Sequence, residues 1–261
     1  MWASFSFFFI NFLLQSLGNL PTKSFLKLAA PFCVALIILG CLLLRLPSMP
    51  EDQKQFIKFP KTLADLKALG STLSMYKGIC YWRILLTITL IYIFLQSFMI
   101  PGSVLFSILL GFLFPTPLAL FVIAFCSAVG ASCCYILADF VGTQTVAKLF
   151  PEQIVTCRKL TSRFQSMSGL AIFFFRLSPI IPNWLVNICS PVLGVPLSGF
   201  FWGTFFGVVP LSLFFVKAGT ILQELTDIGV TSIASVYTLA LFAVISFLPF
   251  AFTKQIRDKL K

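Results

Sequence analysis

Read as hydrophobic and polar positions, the chain is a series of long apolar runs separated by short joints, and run length divides them into two kinds. Runs from about Leu28 to Leu46, Tyr81 to Met99, Leu118 to Phe140, Leu197 to Val216 and Thr231 to Phe252 approach the roughly 20 residues of helix that cross a hydrocarbon core about 30 Å thick. Each predicts a transmembrane helix. Two other apolar stretches are too short. Ser103 to Phe114 is twelve residues, bounded by Pro101-Gly102 before and by Pro115 and Pro117 after; at helical rise it reaches roughly 18 Å. Leu170 to Phe175 ends at Arg176, followed by Pro179, Pro182 and Asn183 and a second short piece to Pro191. Segments too apolar for water and too short to cross predict two re-entrant hairpins, near residues 98–117 and 170–195. Their irregular backbone must be buried in protein or line a wet cavity. The expected breaks are Pro101, Gly102, Gly111, Pro179, Pro182 and Pro191.

The joints carry weaker patterns. Pro47 and Pro50 stop the first span, and a polar segment continues to about Gly78. Within it Thr62 precedes Asp65 at capping-box spacing, and Leu63, Leu66, Leu69, Leu73 and Tyr76 recur near helical period. That predicts a short amphipathic helix lying on the membrane. Residues 143–167, with Lys148, Arg158, Lys159 and Arg163, predict a basic interfacial helix split by Pro151. Residues 2–17 are Phe-rich but include Asn11 and Gln15, and read equally as an interfacial segment or an extra crossing. No basic residue precedes them and no small-residue cleavage site follows, which argues against a secretory signal.

Pro117-Leu118-Ala119-Leu120-Phe121 and Pro196-Leu197-Ser198-Gly199-Phe200 share P-L-x-x-F, each opening a span after a broken piece. Broken segments in corresponding positions of two halves point to a transport site near the midplane of an inverted repeat. Five shared letters are also what two apolar segments share by chance. Gly199, Gly203 and Gly207 recur every four residues, as do Ala124, Ala128 and Ser132 around Gly130. Small residues at this spacing let helix backbones approach closely in lipid, so the two stripes are expected to pack together around the hairpins.

Composition makes the membrane reading firm. Only 10% of residues are charged and 59% are hydrophobic, against about 25% charged in soluble domains. The formal net charge of +11 comes from residues at the edges of apolar runs, such as Lys23, Lys27, Lys254 and Arg257. That placement suits anionic lipid headgroups and argues against nucleic acid as a partner. The chain has no histidine, which removes the commonest general base and metal ligand. Its eight cysteines form no C-x-x-C pair and lie mostly in apolar runs, so neither a metal site nor a disulfide framework is expected. No G-x-x-x-x-G-K-[ST] loop is present to bind a nucleotide. No cofactor and no enzyme activity are expected.

Arg176 is the sharpest candidate. An arginine inside a membrane either faces a water-filled cavity or a partner, or lies near an interface and snorkels outward. Placement on a hairpin favours the first and brings Asn183 and Asn187 with it. A guanidinium suits a phosphate through its bidentate donor fork. Asp139 could pair with Arg176, although its place near the end of a run favours plain interfacial solvation, and Lys217 is expected to snorkel.

The runs Phe98-Met99-Ile100-Pro101-Gly102-Ser103, Gly111-Phe112-Leu113-Phe114 and Gly130-Ala131-Ser132 with Tyr135, then Phe175-Arg176-Leu177-Ser178-Pro179-Ile180-Ile181-Pro182-Asn183-Trp184, then Gly203-Thr204-Phe205-Phe206-Gly207, Pro210 and Ala218-Gly219-Thr220, form a specific pattern. Over about residues 56–257 it resembles the transmembrane protein 41 family of the DedA/VTT (SNARE-associated Golgi protein) superfamily. The resemblance implies an all-α integral membrane protein of about five to six transmembrane helices plus two re-entrant hairpins facing each other in an inverted repeat. The corresponding division is a variable segment at 1–27, a first span and amphipathic loop at 28–80, the DedA/VTT domain at 81–220, and a last span with a basic tail at 221–261.

It further implies an energy-independent phospholipid scramblase of the endoplasmic reticulum membrane that supports autophagosome formation and lipid homeostasis. The partners would be membrane phospholipids, with lipid-transfer or autophagy proteins. On this reading Arg176, Asn183, Asn187 and Ser103 line the lipid path, and Gly130, Gly199, Gly203 and Gly207 pack helices. Two alternatives remain: an ion-coupled, proton-dependent transporter, and a non-transporting organiser of membrane contact sites. Ser103 stands where bacterial relatives tend to carry an acid, which weakens the proton-coupled reading.

Overall fold

A computed structural model describes residues 22–43, 60, 63–149, 154–155, 168–177 and 182–227. Among them there is no strand. The helices are α1 (Thr22–Leu43), α2 (Leu63–Ser97), α3 (Ser103–Leu113), α4 (Thr116–Val141), α5 (Thr143–Leu149), α6 (Ser168–Leu177), α7 (Asn183–Val192), α8 (Leu197–Gly207) and α9 (Val209–Asp227). The chain is an all-α membrane protein. Asp65–Ser97, Thr116–Val141 and Leu197–Glu224 are long and apolar enough to cross a bilayer, and the apolar part of α1, Leu26–Cys41, is shorter. The third crossing is α8 and α9 run together, because Val208 between them keeps helical backbone angles. It extends well past the expected end at Val216. The expected last span, the basic tail, residues 2–17, Pro179 and most of the basic helix around Pro151 lie outside the described residues.

Both broken segments are short helices. α3 has 11 residues and α6 and α7 have 10 each, so each reaches only about half of a bilayer core. α3 is entered through a turn at Phe98–Gly102 in which Met99 and Gly102 have positive φ. It ends at Phe114 in extended backbone before Pro115. Pro101 and Gly102 therefore sit at a break, and Pro182 occupies the N-cap of α7. Gly111 and Pro191 do not. Gly111 lies inside α3, and Pro191 is in the last turn of α7.

Gly111 is needed for proximity. A methyl group there would run into the Val216 backbone of α9, and one at Gly219 would strike the Ile108 carbonyl of α3. The two helices touch backbone to backbone. This is how small residues join helices where lipid removes any hydrophobic drive to associate.

The Gly199/Gly203/Gly207 stripe packs closely too, but against an unexpected partner. A Cβ on Gly203 would meet the Gly169 carbonyl and Ile172, and one on Gly207 would lie 2.7 Å from the Arg176 Cβ. The stripe thus receives α6, not the small-residue face of α4. Gly130 of α4 faces Ile93 and Gln96 of α2. The reason is geometric: a half-length helix wedged beside a full span needs the closest approach, and the stripe supplies it. One long crossing consequently carries α6 on its first half and α3 on its second.

The expected surface helix in the polar segment after Pro50 is also different. Residues 63–97 form one helix of 35 residues with a kink at Cys80 (φ −130°, ψ 38°). Leu66, Leu69 and Leu73 are buried in the protein core with Leu110, Leu113 and Val216. The leucine stripe has a protein partner, α3, whose Phe112 ring lies against Gly70. Lys77 completes this joint. Its ammonium donates to the Leu113 carbonyl and stands 5.4 Å from the Phe114 ring centroid, so a cation closes the carbonyl end of the truncated helix. Lys77→Met is expected to lower stability by about 1 kcal/mol, read as an earlier thermal midpoint in detergent, while Lys77→Arg retains most of it.

The outer surface is apolar. Ile79, Trp82, Phe121, Ile136, Trp202 and Phe206 are each more than half exposed, far more large apolar surface than a water-facing protein presents.

Candidate functional site

Arg176 closes α6, whose last-turn carbonyls favour a cation. α7, capped by Pro182, places Asn183 and Asn187 alongside it. The guanidinium donates from Nε to Thr204 Oγ1 at 3.3 Å, from Nη1 to the Asn183 carbonyl at 3.2 Å and from Nη2 to Asn187 Oδ1 at 2.5 Å. Its Cζ lies 5.4 Å from the Phe200 ring centroid, a cation–π arrangement. One side chain thereby joins both halves of the broken segment to α8.

Arg176 is 4% exposed, Asn187 2% and Thr204 1%. The guanidinium is thus enclosed by protein and does not snorkel. Asp139, the carboxylate considered for it, is exposed near the end of α4, and among the described residues Arg176 hydrogen-bonds only neutral acceptors. A guanidinium has five N–H donors, and among the described residues these bonds use three of them. Cys134 of α4 is buried close by, its thiol near Asn187 and Arg176. Tyr135, one residue on, donates to the Val195 carbonyl at 2.8 Å and packs on Phe200. Among the described residues the result is a buried site of net positive charge, whose acceptors are dipoles and can be exchanged for a better one.

Of the four residues read as lining a lipid path, the structure brings Arg176 and Asn187 together. Asn183 contributes its carbonyl, and its side chain is exposed. Ser103 belongs elsewhere: its carbonyl accepts from Ser107 Oγ at 3.0 Å. There it adjoins a second polar cluster, in which Tyr92 Oη and Ser107 Oγ are 3.1 Å apart and Ser127 Oγ donates to Tyr92 Oη at 3.4 Å. All three side chains are buried. Lys217 is exposed, as a snorkelling residue would be.

Sequence reasoning missed Thr204, Cys134, Lys77 and the Tyr92 cluster. A tyrosine in the middle of a crossing is a signal for the last, because its buried hydroxyl requires a partner. Among the described residues no cluster of three His, Cys, Asp or Glu side chains could hold a metal ion.

Comparison with known proteins agrees with this architecture. Residues 100–221, from the turn before α3 through most of α9, match the VTT domain. The chain is 41% identical over 248 residues to transmembrane protein 41B of Gallus gallus, covering 95% of this chain and 92% of that protein. It is 42% identical over 249 residues to transmembrane protein 41B of Danio rerio, covering 95% and 88%, and 42% identical over 239 residues to that of Homo sapiens, covering 91% and 82%. No solved structure matches. With a VTT domain that contains both half-helix segments and the Arg176 site, and with relatives aligned along nearly its whole length, this chain belongs to the transmembrane protein 41 family of DedA-type, VTT-domain membrane proteins.

Proposed function

We propose that the chain is an energy-independent phospholipid scramblase of the endoplasmic reticulum membrane, serving autophagosome formation and lipid homeostasis. The observation that carries this reading is Arg176: a buried guanidinium, on a half-length helix in a membrane protein, which among the described residues is held by neutral acceptors that use three of its five donors. A charge in such a place is costly and marks a path for a polar or charged group. Phosphate, common to every glycerophospholipid, accepts from both edges of a guanidinium. It would replace the Asn183 carbonyl and Asn187 Oδ1 as acceptor, while the acyl tails stay in lipid beside the apolar outer faces of α4 and α8. The phosphate is the stronger acceptor, and the amide oxygens take the guanidinium back when a headgroup leaves, so lipid can pass in either direction and equilibrate between leaflets without an energy source. The process is transport with no bond made or broken, and the substrate is lipid.

The test is a dithionite assay on proteoliposomes containing fluorescent phospholipid. Purified protein is expected to make nearly all the label reducible. Label that stays half protected, as in protein-free vesicles, sinks the proposal, and dependence on an imposed pH gradient would replace it with an ion-coupled transporter.

A further inference from the structure

Two contacts of α1 with its neighbours stand out among the described residues. Phe32 packs on Phe94 of α2 and on Phe98 just after it, with centroids 5.5 and 4.9 Å apart. At the other contact Lys27 donates to the Phe140 carbonyl of α4 at 2.9 Å and lies 4.7 Å from the Phe140 ring centroid. Between α1, α2 and α4 lies a cavity of about 400 Å³ with almost wholly apolar walls, including Pro31, Leu90, Phe94, Cys133 and Ile136.

Its shape follows the helices. The wall on α1 runs from Pro31 to Leu39, roughly 12 Å at helical rise, and the facing wall runs from Leu90 of α2 to Phe98 just past its end. Ile38 and Ile136, both on the wall, are more than half exposed, so the slot opens outward. Walls this apolar offer water no partners, and in a bilayer the surrounding medium is acyl chain.

One end of the slot is polar. Lys27 lies one helical turn before Pro31, and Phe140 one turn beyond Ile136. The exposed ammonium uses one donor on the Phe140 carbonyl and has two more. Pro31 has no N–H, so the Lys27 carbonyl lacks its helical partner and the same end also offers an acceptor. A cation at the mouth of an elongated apolar slot matches one molecule with a phosphate at the end of an acyl chain. We infer that this slot is a binding site for a glycerophospholipid, with an acyl chain between α1, α2 and α4 and the phosphate on Lys27. It is separate from the Arg176 site: α6, α7 and α8 contribute nothing to its walls.

The experiment uses the full chain in nanodiscs of phosphatidylcholine and phosphatidylserine doped with a phospholipid carrying a diazirine near its acyl terminus. Illumination and peptide mass spectrometry are expected to place label on residues 31–39 and 133–137 in preference to the outer surface at Phe121 and Trp202. Ile136→Trp, which fills the slot, should lower label there about tenfold, as expected for displacing two buried methylenes, and leave label at Trp202 unchanged. Should that variant fail to fold, alkylating Cys133 of the purified native protein with a bulky maleimide fills the same space. Lys27→Glu should lower labelling by the phosphatidylserine probe more than labelling by a diazirine sterol. The inference is overturned if label is spread evenly and ignores both blocks. It is equally overturned if a sterol labels the slot and phospholipid does not compete, or if Cys133 crosslinks instead to residues 1–21 or 228–261 of the same chain.

Discussion

Arg176→Met is expected to slow lipid equilibration in proteoliposomes at least about tenfold, the loss of one charge-assisted hydrogen bond to a phosphate, and to lower stability as well. The stability effect arises because methionine fills much of the volume but leaves Asn187 Oδ1 and Thr204 Oγ1 in the interior without the guanidinium. Orphaned buried polar groups cost about 1–3 kcal/mol each. A fall in rate alone could therefore reflect a damaged fold, and a second variant separates the two. Arg176→Met combined with Asn187→Leu removes the strongest orphan and should recover much of the thermal midpoint. If Arg176 draws headgroup phosphate, the rate stays low in this double variant. Recovery of both stability and rate would make Arg176 a clasp between α6, α7 and α8 and nothing more. Arg176→Lys is informative beside them, since a lysine keeps the charge but cannot present two parallel donors.

The largest loss of folded protein is expected from Gly219→Leu. A Cβ at this position meets the Ile108 carbonyl and lies 2.7 Å from the Phe112 nitrogen. These are backbone atoms of α3 and cannot rotate away, so the α3–α9 contact has to open. Overpacking a tight contact costs about 1–3 kcal/mol when side chains can adjust, and here the upper end applies. A thermal midpoint lower by about 10 °C in detergent is expected. Gly40→Leu is the matched control. Nothing lies within 4 Å of a Cβ built on Gly40 of α1, and it should leave the midpoint within a degree or two of native. A Gly219→Leu protein with native stability would mean that α3 is not held against α9 by this contact.

Part of this protein follows from run length and residue type alone. The bilayer sets a minimum length for a crossing, so Thr116–Val141 and Leu197–Glu224 are legible as spans from their apolar runs. The same arithmetic shows that Ser103–Leu113 and Ser168–Leu177 are not. The proline and glycine joints at Pro101-Gly102 and Pro182 are legible because those residues interrupt the helical backbone wherever they occur. Arg176 stands out because a charge in an apolar run must be accounted for.

What the run lengths leave open is who packs against whom. An apolar face reads the same whether it meets lipid or protein, so the leucines of α2 suit a membrane surface in sequence and a buried joint with α3 in structure. A stripe of small residues announces a close approach without naming the partner, and the partner of Gly203 proved to be α6. Tertiary structure likewise gave Arg176 its acceptors, since Thr204 comes from a helix 28 residues away, and it left Ser103 with a different cluster. Sequence by itself determined where the chain can cross and where it must break, because those limits are set by the thickness of the solvent. The fold alone decided which breaks meet and which polar groups share a site, because that depends on contacts between residues far apart in the chain.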